Sequence, residues 1–145
     1  HKFSSNSYFR RATMQQAEKT KVLSQTVAND GKVQRIFENG KKEIVFQNGV
    51  KKETYPDGYT IIYFTNNDIK QNLPDGTVIY YFADASTTQT TLASGVQIYR
   101  FANNQIEFHN ADLTKEIYFS DGTKKFVSAS GEELTLFTDG KTQKV

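Results

Sequence analysis

A turn signal that returns every nine residues governs what this chain can become. It reads Asn39-Gly40, Asn48-Gly49, Asp57-Gly58, Asn66-Asn67 and Asp75-Gly76, then Ser94-Gly95, Asn103-Asn104, Asp121-Gly122, Ser130-Gly131 and Asp139-Gly140. Two weaker pairs, Asp84-Ala85 and Asp112-Leu113, stand in the gaps. Asn-Gly and Asp-Gly mark tight hairpins because Gly reaches the left-handed backbone region that such turns need. Between the turns run six or seven residues rich in Ile, Val, Thr, Tyr and Phe, enough for one short strand. Hairpins at constant spacing pair each strand with the next, so an up-and-down antiparallel meander is expected. The step lengthens to ten only between Ala85 and Gly95, and a β-bulge in residues 87–92 is expected to absorb the extra residue.

An aromatic residue or Leu stands six positions after most turns, at Phe37, Phe46, Tyr55, Phe64, Leu73, Phe82, Phe101, Phe119 and Phe137. Both prolines fall in Pro-Asp-Gly, at Pro56 and Pro74, where Pro presets the turn backbone. With 37% hydrophobic residues, dominated by 11 Phe and 8 Tyr, the chain lacks the aliphatic material for a thick two-layer core. The fold class that follows is all-β: a single-layer, elongated antiparallel β-meander of nine-residue repeats, with both faces solvent-exposed. Residues 32–145 form this sheet domain. Residues 1–31 fit the repeat poorly and read as an N-terminal arm, with a short helix over residues 8–21 and a first strand over residues 21–27.

Which side chains share a face depends on the loops. With three-residue loops, as Pro-Asp-Gly favours, the residues flanking each loop point to the same side. Provided that a bulge in residues 87–92 absorbs the extra residue, this count puts Phe64, Tyr80, Phe82 and Phe101 on one face, joined from the intervening strands by Lys70, Asn72 and Glu107. Ile61, Tyr63, Leu73, Ile79 and Tyr81 take the other. Two-residue loops would keep Phe64, Tyr80 and Phe101 together but flip Glu107. Rings in strands stabilise cross-strand pairs by about 0.2–1 kcal/mol each. A row of rings with no covering layer is also an apolar patch of the kind that marks a partner site.

Several function classes drop out. Nine-residue repeats also build calcium-binding parallel β-rolls, but those need paired glycines and an Asp in every unit, whereas single glycines alternate with Asn here. The chain has no Cys, and its His are His1 and His109, the latter reading as a surface residue. No nucleophile sits in an activating arrangement, so neither catalysis, a metal nor a cofactor is expected. The 18 Lys and Arg are interleaved with 16 Asp and Glu, which leaves no steering field for nucleic acid. No apolar run approaches a membrane span, and a cytoplasmic setting without membrane contact is expected. Thr87–Thr91 reads as a β-prone polar strand rather than a modification site.

The repeat Gly-x5-aromatic-x-Asn/Asp-Gly, the run Tyr80-Tyr81-Phe82-Ala83-Asp84-Ala85, the segment Thr87-Thr88-Gln89-Thr90-Thr91 and Asn104-Gln105-Ile106-Glu107 together closely resemble the TCP10, or G-box, domain family at the C-terminus of CPAP-type centriolar scaffolds. The likeness runs from residue 32 to the C-terminus. It implies a long single-layer sheet that binds a proline-rich segment of the partner scaffold STIL, in the cytoplasm at the centrosome and centriole. The family's ligand-binding positions, three aromatics and a glutamate, fall on Phe64, Tyr80, Phe101 and Glu107; Phe82, Lys70 and Asn72 join them through the face count. The chain departs from the family pattern at Asp112-Leu113, where Asp-Gly is usual, and at Asn110, where an aromatic or proline-like neighbour is usual.

Geometry agrees with that ligand. Alternate strands lie about 9.6 Å apart, twice the neighbour spacing, and polyproline II repeats about every 9.3 Å. A proline-rich peptide lying across the strands can set every third residue on successive rings. Tyr hydroxyls can donate to its free carbonyls, and Glu107 can attract an Arg. A different class, a self-assembling module, also follows from the topology: an open meander ends in two unpaired edges that template another copy. Residues 140–145 and the first strands are the candidate edges, with Lys141 and Lys144 giving partial protection.

Overall fold

The computed structural model describes residues 20–145, so the helix expected over residues 8–21 lies almost wholly outside the described residues. Fourteen strands follow one another: β1 (Val22–Val27), β2 (Val33–Phe37), β3 (Lys42–Val45), β4 (Lys51–Thr54), β5 (Thr60–Tyr63), β6 (Ile69–Asn72), β7 (Val78–Phe82), β8 (Thr87–Thr91), β9 (Gln97–Arg100), β10 (Ile106–His109), β11 (Lys115–Tyr118), β12 (Lys124–Val127), β13 (Glu133–Leu136) and β14 (Thr142–Lys144). They form one open antiparallel sheet whose spatial order is the chain order, and no helix occurs among the described residues. The all-β single-layer meander is the fold.

The turns explain it. After β3 the Phe46 N–H donates to the Val50 carbonyl at 2.8 Å and the Gly49 N–H to the Phe46 carbonyl at 2.9 Å. This closes a three-residue loop with Gly49 left-handed at φ 94°. Asn48 Oδ1 accepts the Val50 N–H at 3.0 Å, satisfying a donor that the loop would otherwise leave free. The flanking bond recurs from Tyr55 to Tyr59, Phe64 to Asp68, Phe101 to Gln105, Phe119 to Thr123 and Phe137 to Lys141. Loop-flanking residues therefore share a face, as the three-residue count requires.

The ten-residue step is not where the sequence pointed. Left-handed residues fall at Gly76, Ser86 and Gly95, so the extra residue precedes Ser86 and the following step is nine. The Ser86 N–H donates to the Ala83 carbonyl at 3.2 Å, which makes Asp84-Ala85-Ser86 the loop. The pairing of β8 with β9 is unbroken from Thr88↔Arg100 to Thr91↔Gln97, so no bulge lies there. The added residue instead goes into β7, five residues long, and leaves Phe82 inside the strand with Ala83 beside the loop.

The sheet packs as two units, one ending at Ile79 and one beginning at Tyr80. In the first, Tyr55, Tyr59, Ile61, Leu73 and Ile79 form one buried cluster, with Tyr63 and Ile69 against it. Charged groups share this face. Glu43 and Glu53 pair directly across β3 and β4. Lys51 Nζ reaches both, at 3.6 and 3.2 Å. Arg35 meets Glu43 at 2.9 Å, and Lys41 lies 3.8 Å from Glu53. The Tyr55 hydroxyl donates to Glu53 Oε2 at 2.9 Å; burial first, then the neighbouring Glu53 charge, push this phenol far above its usual range, so it stays a donor. The opposite face carries Thr60, Ile62, Lys70 and Asn72, all half-buried.

Candidate functional site

In the second unit the site is built on β9 and β10. Their register sets Tyr99 opposite Glu107 and Gln97 opposite His109, so these four point to one side. Phe101, two residues beyond Tyr99, joins them, and the Tyr99 and Phe101 rings lie 6.2 Å apart at 12°. The His109 ring centroid is 4.6 Å from that of Tyr99. Glu107 closes the group: Gln105 Nε2 donates to its Oε2 at 2.7 Å, and His109 Nε2 stands 3.0 Å from its Oε1. Gln89 Nε2 donates to the Tyr99 hydroxyl at 3.2 Å, which itself donates to Gln97 Oε1 at 3.1 Å. The result is a pair of aligned rings with a carboxylate fixed at their border. Flat rings take apolar ligand surface, and a carboxylate already oriented by its neighbours takes a cation at little cost in side-chain entropy.

The other expected residues fall into two further groups. Tyr80 and Phe82 stand two apart on β7 with ring centroids 4.5 Å apart at 43°, and Phe82 is exposed. In the first unit, Lys70 pairs with Ile62 and Asn72 with Thr60, and strand alternation places Phe64 beside Ile62. Asn72 Nδ2 donates to Thr60 Oγ1 at 3.0 Å, so part of its hydrogen-bonding capacity is already used within the sheet. Ile61, Leu73 and Ile79 are in the buried cluster with Tyr63 against it, opposite Phe64, as the face count expects.

Two side chains that the sequence reading left out belong to the site. Tyr99 lies between Phe101 and His109, and its spacing of two from Phe101 in one strand was the available signal. His109, read as a plain surface residue, packs on Tyr99 and meets Glu107. Among the described residues no group of His, Cys, Asp and Glu gathers to hold a metal ion, and no helix is long and apolar enough to cross a membrane.

Comparison with known proteins adds a family pattern. The model of the family described as T-complex protein 10 C-terminus matches residues 20–54. No curated protein matches the chain. Among solved structures, the wild-type TCP10 domain of Danio rerio CPAP in complex with a peptide of Danio rerio STIL is 39% identical with a TM-score of 0.73; the match covers 78% of this chain and 63% of that one. The TCP10c domain of Drosophila melanogaster Sas-4 is 29% identical with a TM-score of 0.60, over 78% of this chain and 97% of that one. The SAS-4 (dCPAP) TCP domain in complex with a proline-rich motif of Ana2 (dSTIL) of Drosophila melanogaster is 26% identical with a TM-score of 0.64, over 83% and 92%. The chain thus spans 63% of the length of the zebrafish relative.

Proposed function

We propose that the chain is a TCP10 domain and, as such, the interaction domain of a centriole-assembly scaffold, binding a proline-rich segment of a STIL-like partner. The observation that carries the reading is the alignment of the Phe101 and Tyr99 rings beside the fixed Glu107 carboxylate. Two relatives support it, one solved with a STIL peptide and one with a proline-rich motif of Ana2. In this proposal Tyr80, Phe82 and Phe101 take the apolar turns of the peptide, and Glu107 takes an Arg. Phe64, Lys70 and Asn72 are assigned to the same ligand on the resemblance. The proposed role is binding at the centriole, without chemistry of its own, a cofactor, or contact with nucleic acid or membrane.

Calorimetry with a STIL-type proline-rich peptide tests it. Tyr80→Ala or Phe101→Ala should weaken binding by about 2 kcal/mol if the ring is a hot spot, while circular dichroism stays unchanged. Wild-type affinity in both variants removes the reading.

A second reading has its own support. Among the described residues β1 and β14 each have one neighbour in the sheet, and Val22, Leu23, Val27 and Val145 are exposed there. We propose end-to-end pairing of these edges into homo-oligomers. A scattering mass that stays monomeric across a wide concentration range sinks it.

A further inference from the structure

We propose that the binding face does not end at Glu107 but continues as a track of three phenylalanines, Phe101, Phe119 and Phe137, that takes further turns of a longer proline-rich ligand. The proposal rests on the reading above and extends it across β11 to β14.

Each of these rings occupies the same place in its hairpin. The N–H of Phe101, Phe119 and Phe137 donates across a three-residue loop to the carbonyl of Gln105, Thr123 and Lys141, each at 2.9 Å. The registers show that all three look the same way. Tyr99 pairs with Glu107, Glu107 with Ile117, Ile117 with Lys125, and Lys125 with Thr135, one continuous ladder on one face. Phe101, Phe119 and Phe137 stand two residues beyond Tyr99, Ile117 and Thr135, so they lie on that face along one edge, on alternate strands. The intervening hairpins turn at the other edge and put Asn110 and Ser128 on the opposite face.

The spacing fits one ligand conformation. Rings on alternate strands are about 9.6 Å apart, and three residues of polyproline II advance about 9.3 Å, so a single extended peptide stays in step with all three. The turns that follow Phe119 and Phe137 lie side by side: a Cβ at Gly122 would come within 3.1 Å of Thr138 Cγ2. The strands are four residues long at most, which limits how far twist carries the rings apart. Phe137 is 39% exposed, open enough to take a ligand.

Charge then sets the sequence of the ligand along the track. Glu107 lies at the Phe101 end, whereas Lys125, the cation between Phe119 and Phe137, is already paired with Glu133 at 3.7 Å. The matching ligand carries its Arg at the Phe101 end and is neutral and proline-rich toward Phe137.

The test uses the full chain and two synthetic peptides of Pro-Pro-Leu repeats, one of about three polyproline turns that ends in a single Arg and one that carries about three further turns beyond that Arg. The longer peptide should bind about tenfold more tightly. Phe137→Ala, and independently Phe119→Gln, should erase that gain and leave the shorter peptide's affinity unchanged, with circular dichroism reporting an intact sheet. Equal affinity for the two lengths overturns the track, as does a gain that survives both substitutions. If the short peptide binds in a Phe101-dependent way without a length gain, only the track falls. If neither peptide binds, the track and the peptide-binding reading fall together.

Discussion

Glu43 and Glu53 face each other directly across β3 and β4, with only 6% and 0% of their surface exposed. Two carboxylates in such a position repel, and Glu53 Oε1 takes no hydrogen bond. Lys51, within 3.6 Å of one and 3.2 Å of the other, makes the arrangement tolerable. Lys51→Met should therefore destabilise the domain by about 2 kcal/mol, below the usual cost of breaking a buried pair because Lys51 is partly exposed and Lys41 remains. Adding Glu53→Gln should recover part of that loss. Urea denaturation of the single and double variants gives the answer, and an unmoved midpoint in Lys51→Met removes the claim.

Leu113 sits in the left-handed region at φ 70° with its side chain 75% exposed, so it bears a backbone cost without packing to offset it. Leu113→Gly should stabilise by about 0.5–1 kcal/mol, the strain relieved less the entropy a glycine adds to the unfolded chain. The reverse change at Gly40 should cost about 2 kcal/mol or more, because φ is 86° and a Cβ would lie 2.6 Å from Pro56 Cγ. Thermal melts showing the same sign for both substitutions would contradict the assignment of these turns.

Asp75 and Asp121 accept the backbone N–H of Thr77 and Thr123, and Asp112 accepts the Thr114 hydroxyl and N–H; these bonds hold all three carboxyls below their ordinary range. A depressed folded-state pKa contributes stability that is full above the unfolded value, about 3.9, and is lost as pH falls through the folded value. Stability should hold from neutrality down to about pH 5 and decline below about pH 4. Asp75→Asn, Asp112→Asn and Asp121→Asn combined should flatten that acid limb. A limb of unchanged steepness in the triple variant would assign it to other groups.

Glu107 should discriminate ligands by charge rather than by bulk. Glu107→Val should weaken an Arg-bearing proline-rich peptide by about 1.5–3 kcal/mol, the range for a hydrogen bond to a charged group. The same peptide with citrulline in place of Arg should lose much less. Equal losses for both peptides would make Glu107 a spacer for Gln105 and His109.

Repetition made the architecture readable. Asx-type residues before most left-handed positions, at Asn48-Gly49 or Asp121-Gly122, carry turn and strand length together, and once the loop is three residues the placement of Glu107 with Phe101 follows from counting. The reading went astray where the signal and the strain part company. Asp84-Ala85 imitates the Asp-Gly pair, but Ala has no means of easing the left-handed conformation, and Ser86 takes it at φ 46°. Tyr99 was missed for another reason. Its part comes from two neighbours on β10, Glu107 and His109, which the register brings to it.

A period of nine is an odd number, and that has an evolutionary consequence. Phe101 and Asn110 occupy the same place in consecutive hairpins and look out from opposite faces. Gain or loss of a single unit within the sheet inverts every side chain downstream of it, while a change of two units restores them. Descendants that lengthen or shorten this domain by duplication and still hold the same ligand must do so in pairs of strands. A lineage that changes by one strand needs a compensating inserted residue, of the kind that already lengthens β7.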